Sequence, residues 1–216
     1  MRLYLLVKWS LFQEQAKVCW LYYRNWRFAL ADMLLGLSSL FCNPYRLCRK
    51  RGEVYGETPI TTLQQIADRL DLTSDDCWID IGAGRGKGAL WVATWIGCRV
   101  VAIETIPFFV KVSRAIVRLL RLEKLAIAPI DASKYVYSGA TAVYLYGSSW
   151  SDQLWEEIAN RLRTLPRGAR VVSVSVPIER DYLKLVDSFP VRFPWGETTA
   201  YMHILLPAQR HPKGLN

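Results

Sequence analysis

The segment DIGAGRG, residues 80–86, limits the possible folds more than any other part of this chain. It lies between the apolar run CWIDI and the run ALWVATWI, so a glycine turn joins a predicted strand to a predicted helix. Glycine lets a ligand approach the backbone where a side chain would block it. The NAD fingerprint G-x-G-x-x-G fails, because Lys87 stands where the third glycine would be. The turn therefore suits a nucleoside ligand without a pyrophosphate.

Predicted helices and strands alternate from Thr58 onwards. After CWIDI, the predicted strands are RVVAIE, LAIAPID, AVYLY and ARVVSVSV. Thr58 is predicted to cap the helix PITTLQQIADRL, with Pro59 in its first turn. Near the end, VRFPW and AYMHILL flank GETT, which we interpret as a hairpin. The alternation predicts a mainly parallel sheet that binds a ligand at the carboxyl ends of its strands.

Three successive predicted strands end in an acid. Asp80 ends the first, Glu104 the second and Asp131 the third. A carboxylate at Glu104 can accept hydrogen bonds from both hydroxyls of a ribose, and one at Asp131 can accept from an exocyclic amine of a base. A single acid in such a place is usually a solvated loop residue. Three at one edge of a sheet indicate a nucleoside site instead.

These features resemble the class I S-adenosylmethionine-dependent methyltransferases, over residues 54 to about 207. Within that superfamily, VYGETP at 54–59, followed by a helix and DLTSDDCWIDIGAGRGKGALWVATW, is similar to the disruptor of telomeric silencing family of non-SET histone-lysine methyltransferases. The resemblance implies an α/β fold with a Rossmann-like seven-stranded sheet, mainly parallel, with a C-terminal antiparallel hairpin. It also implies S-adenosyl-L-methionine as the cofactor.

The resemblance further implies which residues bind the cofactor. Residues 55–58 would form a loop over its methionine end, where Glu57 can accept from an ammonium. A turn followed by a capped helix would need only Thr58 and Pro59, and would leave Tyr55 and Glu57 unexplained. The full set of predicted cofactor-binding residues is Tyr55, Gly56, Glu57, Thr58, Asp80, Gly82, Ala83, Gly84, Gly86, Glu104, Asp131 and Ala132.

The end of the fourth predicted strand departs from that family. The sequence YLYGSSW places Tyr146, Gly147 and Ser148 where the family has two asparagines and a phenylalanine. Tyr146, Trp150 and Trp195 are candidate walls of a channel for an acceptor lysine, and Tyr146 is the candidate catalytic residue. Removing water from the amine lowers the lysine pKa from its usual value of about 10.4, which favours the neutral nucleophile.

The departure leaves three functions open. The first is a protein-lysine methyltransferase, with a histone, a nucleosome or another protein that has an accessible lysine as partner. The second is an RNA or small-molecule methyltransferase on the same fold. The third is a non-catalytic module that binds cofactor or a partner, which the missing asparagines favour and the intact acids and glycines oppose.

Residues 1–51 form a predicted helical extension to a methyltransferase domain at 52–216. They carry nine basic and two acidic residues, against 19 and 17 in the rest of the chain. Apolar residues spaced by three and four from Leu5 to Leu37 predict one helix stripe, and RLCRKRG an exposed basic link. Such a region suits an acidic macromolecule or an anionic membrane, although the stripe could instead pack on the protein's own core. We expect the domain to bind cofactor without it.

The cysteines, the histidines and the apolar runs indicate the cellular compartment and whether a metal site is expected. Five cysteines without paired spacing favour a reducing compartment, and His203 and His211 have no ligand partners at metal-binding spacing, so we expect no metal site. The first apolar run is too short for a cleavable signal peptide. Asp32 and Pro44 interrupt FALADMLLGLSSLFCNPY, which favours a buried or interfacial helix. A cytoplasmic or nuclear protein is predicted, with membrane association as an alternative.

Overall fold

The structure is a computed structural model that describes residues 19–20, 22–52, 55–147 and 150–207. The strands are β1 (Cys77–Ile81), β2 (Arg99–Ile103), β3 (Leu125–Ala128), β4 (Ala142–Leu145), β5 (Arg170–Val174), β6 (Leu183–Phe193) and β7 (Gly196–Leu205). The α-helices with their bounds are α1 (Trp26–Phe41), α2 (Pro44–Lys50), α3 (Ile60–Arg69), α4 (Lys87–Trp91), α5 (Pro107–Leu119) and α6 (Asp152–Arg161). A π-helical turn at Val92–Ile96 continues α4.

The seven strands form one sheet in the order β3-β2-β1-β4-β5-β7-β6. Strands β1 to β5 run parallel, and β7 lies antiparallel between β5 and β6. All five residues of the central strand β1 are buried, as expected where helices cover both faces of a parallel sheet. The fold class predicted from the sequence is confirmed.

The N-terminal helix α1 packs in the same core as the sheet. Phe28, Ala31 and Leu35 have no exposed surface and lie in the hydrophobic cluster that also contains Trp78 and Trp91. The boundary at residue 51 stays a prediction, but the helix before it contributes to the interior of the sheet domain. We therefore expect the sheet domain to depend on this helix for its stability.

The predicted continuous apolar stripe of the N-terminal region is interrupted, and its described part lies mostly on the solvent side of the helix. Residues 5–16 of the stripe lie outside the described residues, while Tyr23, Trp26, Met33 and Leu37 face solvent. The helix is interrupted at Asn25, whose side chain accepts a hydrogen bond from the Phe28 amide and caps α1. The opposite face of α1 is the buried one.

The sequence RLCRKRG is largely helical and not a link, while its basic side chains are exposed as predicted. Asn43 caps α2 by accepting from the Arg46 amide, and Pro44 occupies its first turn. Cys48 is buried against Ile106 and Phe109. The basic residues of this segment are therefore held on a short helix that packs on the sheet domain.

The C-terminal hairpin is present, but its turn is not GETT. Pro194 and Trp195 form the two-residue connection, and Gly196 to Thr199 already belong to β7. Arg192 pairs with Glu197 in the register on the two sides of this turn. Strand β6 also begins earlier than predicted, and its register shifts once near Asp187.

Candidate functional site

A cavity of about 430 Å³ opens at the carboxyl ends of the parallel strands. Eleven of the twelve residues predicted to bind a cofactor line it, namely Tyr55, Gly56, Glu57, Thr58, Asp80, Gly82, Ala83, Gly84, Glu104, Asp131 and Ala132. Gly86 does not line the cavity. It begins α4 in a left-handed conformation (φ 79°), with Ser113 Oγ 3.1 Å from where a Cβ would lie.

The glycine turn brings its backbone directly to the cavity. Gly82 and Gly84 have φ values of 73° and 57°, which side-chain-bearing residues rarely adopt. The amides of Gly82 and Ala83 both donate to the carbonyl of Ile103 at 3.0 Å, which fixes the turn to β2. A ligand in this cavity would therefore meet backbone rather than side chains at the turn.

Glu104, predicted to meet a ribose, also organises the turn. Its Oε2 accepts from the Gly84 amide at 2.8 Å, and its Oε1 accepts from the amides of Thr105 and Ile106 at 2.7 Å. The side chain is buried. Because each carboxylate oxygen has two lone pairs, Glu104 can hold the turn and still accept from a ligand hydroxyl.

Asp80 is a buried carboxyl at the floor of the cavity. Burial, followed by the negative charge of Glu104, raises the pKa of Asp80 to about 7. Its Oδ2 lies 3.3 Å from where a Cβ on Gly88 would be, so a glycine at that position leaves room for the carboxyl. A positive ligand group would stabilise the ionised form of Asp80.

Asp131 lies farther from its strand than predicted. Strand β3 ends at Ala128, three residues earlier, because Asp131 instead caps a 3₁₀ turn at Ala132–Lys134. Its Oδ1 accepts from the Ser133 amide at 2.9 Å. The side chain is only partly buried and still lines the cavity, so it reaches the same edge of the sheet as the other two acids.

Residues 55–58 lie against the glycine turn, and Arg85 holds them there. The Tyr55 hydroxyl donates to Glu57 Oε1 at 2.6 Å, and Arg85 donates to the same oxygen through Nη2 at 2.7 Å and Nε at 3.0 Å. Arg85 also donates to the Leu35 carbonyl at 2.7 Å and to Ser39 Oγ at 2.6 Å. The sequence analysis missed Arg85, which joins the loop, the glycine turn and α1.

Thr58 is not the helix cap that the sequence predicts. Helix α3 begins at Ile60 with Pro59 in the cap position and no side-chain capping bond. The Thr58 hydroxyl instead lies 2.6 Å from the hydroxyl of Tyr144, whose ring stacks on Trp78. Thr58 thus ties the loop to the end of β4.

An aromatic cluster stands at the end of β4. Trp195 Nε1 donates to the Tyr146 hydroxyl at 3.1 Å, and Phe193 lies between the two rings, 4.7 Å from Tyr146 and 5.4 Å from Trp195 between centroids. Tyr146 and Trp150 line the cavity, whereas Trp195 is exposed beside it. Ser148 lies outside the described residues.

Trp150 occupies the space that a side chain at position 147 would need. A Cβ on Gly147 would lie 2.0 Å from Trp150 Cδ2, and one on Gly82 would lie 2.8 Å from Trp150 Cζ2. The indole is therefore pressed between the end of β4 and the glycine turn. The glycines at 82 and 147 therefore leave the room that the Trp150 ring fills.

The fold is that of solved methyltransferases. A structure named as an RNA methyltransferase from Salinibacter ruber, in complex with S-adenosyl-L-homocysteine, has a TM-score of 0.60 at 23% identity, covering 74% of this chain and 99% of that one. TrmN from Thermus thermophilus has a TM-score of 0.59 at 16% identity, covering 67% of this chain and 48% of that one. Together with the strand order, these likenesses give this protein the class I S-adenosylmethionine-dependent methyltransferase fold.

A narrower likeness concerns the N-terminal half of the sheet domain. Residues 45–125 match the model of the family described as histone methylation protein DOT1. The match runs from α2 through the loop at 55–58 and the glycine turn to the start of β3. Over residues 45–125 this match confirms the resemblance to that family which the sequence analysis stated. The matched segment ends before Asp131 and the aromatic cluster.

Proposed function

We propose that this protein is an S-adenosyl-L-methionine-dependent methyltransferase whose acceptor is the amine of a protein lysine. One observation supports the cofactor above all others: three acids from three strand ends, the glycine turn and the loop at 55–58 line a single cavity. The carboxylates that line the cavity fit this cofactor, because they can accept hydrogen bonds from its positive groups, its ribose hydroxyls and its base amine. When bound, it supplies a methyl group on a sulfonium, activated for in-line displacement.

Each residue has a proposed part in holding that cofactor. Glu104 accepts from a ribose hydroxyl, Asp131 accepts from the amine of the base, and Asp80 faces the positive charge of the methionine portion. Arg85 neutralises Glu57 and keeps the loop closed on the turn, at 2.7 Å from its carboxylate. The amides of the glycine turn allow the ligand to approach the backbone closely.

The aromatic cluster supports a lysine acceptor. The rings of Tyr146, Phe193 and Trp195 would exclude water from an arriving amine, which lowers its pKa and favours the neutral nucleophile. The Trp195 indole donates to the Tyr146 hydroxyl and so orients it, at 3.1 Å. Ring faces also attract the methylated ammonium that the reaction forms. Tyr146 is the proposed catalytic residue, since it lines the cavity at this end.

A transfer assay tests the acceptor. Labelled S-adenosyl-L-methionine is offered with histones, nucleosomes, RNA and a lysate treated with ribonuclease, and the labelled species is identified. We expect label on lysine of a protein. The RNA arm is included because one similar structure is named as an RNA methyltransferase and this chain carries a net charge of +9. Label that is confined to RNA overturns the lysine assignment, and no label anywhere favours a binding module.

Changing Tyr146→Phe is expected to lower the rate of transfer about 10-fold, which corresponds to about 1.4 kcal/mol in the barrier. The affinity for S-adenosyl-L-homocysteine should change less than twofold, because Tyr146 lies on the acceptor side. Tyr201→Phe, on β7, is the matched control and should leave both quantities unchanged. Equal rates for the Tyr146 variant and the wild-type chain would remove Tyr146 from the reaction.

Affinity for S-adenosyl-L-homocysteine is expected to rise between about pH 6 and pH 8. The pKa of Asp80 is raised to about 7, so its carboxyl ionises in this window and can then pair with the ligand's ammonium.

The same raised pKa affects the free energy of unfolding of the ligand-free protein. As the pH rises from about 4 to 7, Asp80 should lower this free energy by up to about 1.4 kcal/mol per pH unit. Calorimetry at several pH values measures both, and Asp80→Asn should flatten the affinity profile.

A further inference from the structure

The outward face of α1 is apolar and has no covering among the described residues. Trp26, Leu30, Met33, Leu37 and Leu40 recur at intervals of three and four, which places them along one side of the helix. The opposite side carries the fully buried residues that pack on the sheet domain. A helix that is hydrophobic on all sides is normally buried on all sides. We therefore expect a partner to cover the outward face of α1.

Exposed apolar residues also flank α1 in the chain on both sides. Of the fourteen large hydrophobic residues that are exposed in the described part of the chain, eight lie between residues 20 and 45. We call these eight the α1 face, and they are Trp20, Tyr23, Trp26, Met33, Leu37, Leu40, Phe41 and Tyr45. Leu40 and Phe41 are the most open of the helix positions, with 80% and 88% of their surface exposed. Patches of this kind mark interaction sites.

Exposed basic side chains border the α1 face. Arg24 and Arg27 lie at its N-terminal end, and Arg46, Arg49 and Lys50 follow on α2. Within the described residues from 19 to 52 there is a single acid, and it is engaged in an ion pair.

That acid is Asp32. Its Oδ1 lies 2.9 Å from Lys87 Nζ, and its Oδ2 accepts from the hydroxyl of Tyr22. The border of the α1 face therefore presents positive charge without a competing free carboxylate, which is complementary to an anionic surface.

We propose that the α1 face lies on an anionic lipid bilayer, with its leucines and phenylalanine in the acyl boundary and its arginines among the headgroups. Tryptophan and tyrosine at the ends of the face and arginine at its edge are the composition of interfacial helices. The sixteen-residue helix is about 24 Å long, which gives the face room for several turns on such a surface.

The helix lies on the bilayer and does not enter it as a span. Its other side is fixed to the sheet domain through Phe28, Ala31 and Leu35. Among the residues that the structure describes, no helix is long and apolar enough to cross a membrane.

Helix α2 connects the α1 face to the cavity, because Cys48 lines the cavity while Arg46 and Arg49 are exposed on the same helix. Docking would thus bring the site close to acceptors at the membrane surface.

Sedimentation of the full chain with vesicles tests the apolar contact. We expect binding to phosphatidylcholine vesicles containing 25% phosphatidylglycerol. The triple variant Leu37→Gln, Leu40→Gln, Phe41→Gln should reduce this binding at least 10-fold without lowering the melting temperature, since all three side chains are exposed. The matched control is Leu119→Gln, Val136→Gln, which alters exposed apolar residues elsewhere and should bind like the wild-type chain.

A second pair of variants tests the charge. Arg46→Gln, Arg49→Gln should weaken binding to the anionic vesicles several-fold, and raising the salt concentration should have the same effect. Lys111→Gln, Arg118→Gln on α5 is the control for loss of two exposed charges.

Three results would overturn the proposal. The first is that the wild-type chain fails to sediment with anionic vesicles. The second is that the triple variant binds them as strongly as the wild-type chain, which would assign any lipid binding to another part, such as residues 1–18. The third is that the triple variant alters only the oligomeric state in lipid-free solution, which would make a second copy of this chain the occupant of the α1 face.

Discussion

Deletion of residues 1–51 is expected to yield a chain that does not fold to a stable domain. Phe28, Ala31 and Leu35 are fully buried in the main hydrophobic cluster, and their removal opens the interior around α4. A buried phenylalanine truncated to alanine costs about 3–5 kcal/mol, and a whole domain has only about 5–15 kcal/mol. Losing the entire helix should therefore consume most of the free energy of unfolding.

The same deletion removes two anchors of Arg85. Its guanidinium donates to the Leu35 carbonyl and to Ser39, and it is largely buried. Without α1 it would keep Glu57 and Tyr55 as partners but lose the groups that hold it in place. Any folded remainder should then bind cofactor more weakly, contrary to the expectation that the glycine turn and the acids suffice.

Thermal denaturation and calorimetry with S-adenosyl-L-homocysteine measure these effects. The matched control is a deletion of residues 1–18, which keeps the described contacts between α1 and the sheet domain and should keep cofactor affinity. Phe28→Ala, a milder version of the same loss, should lower the melting temperature clearly. A 1–51 deletion that melts within a few degrees of the full chain and binds the ligand equally well would contradict this account of α1.

The five parallel strands could be predicted because local patterns in the sequence mark each of them. Five apolar runs between helical segments matched β1 to β5, and an acid near each of the first three strand ends marked the ligand edge. The N-terminal region could not be oriented in the same way. Its helix is apolar on two sides, so periodicity finds a face but cannot say which one is buried, and Asn25 interrupts the predicted continuous stripe.

The candidate site was predicted where the chain carries a local signal or a family resemblance. The positive φ values of Gly82 and Gly84 follow from a glycine-rich turn, and the loop at 55–58 was placed by resemblance. Arg85 was missed, because its partners lie at 35, 39, 55 and 57, far apart in the chain. The packing of Trp150 against Gly147 likewise depends on the folded arrangement and not on any local signal.

Glu104→Ala is expected to impair both stability and cofactor binding. The carboxylate accepts from three backbone amides, and the variant would leave these buried donors without it, at about 1–3 kcal/mol for each unsatisfied group. Cofactor affinity should fall at least 100-fold, because the proposed ribose acceptor and the anchor of the glycine turn disappear together. Glu123→Ala, an exposed acid before β3, should change neither quantity.

Glu104→Gln separates the charge from the shape of that side chain. The amide keeps one accepting oxygen, so the loss of stability should be smaller than in the alanine variant, while its nitrogen cannot accept from a backbone amide or a hydroxyl. Because the charge of Glu104 raises the pKa of Asp80, the variant should also move the pH midpoint of ligand affinity below about 7. A midpoint that stays in place would show that the two carboxyls do not interact, and with it the proposed electrostatics of the site would fail.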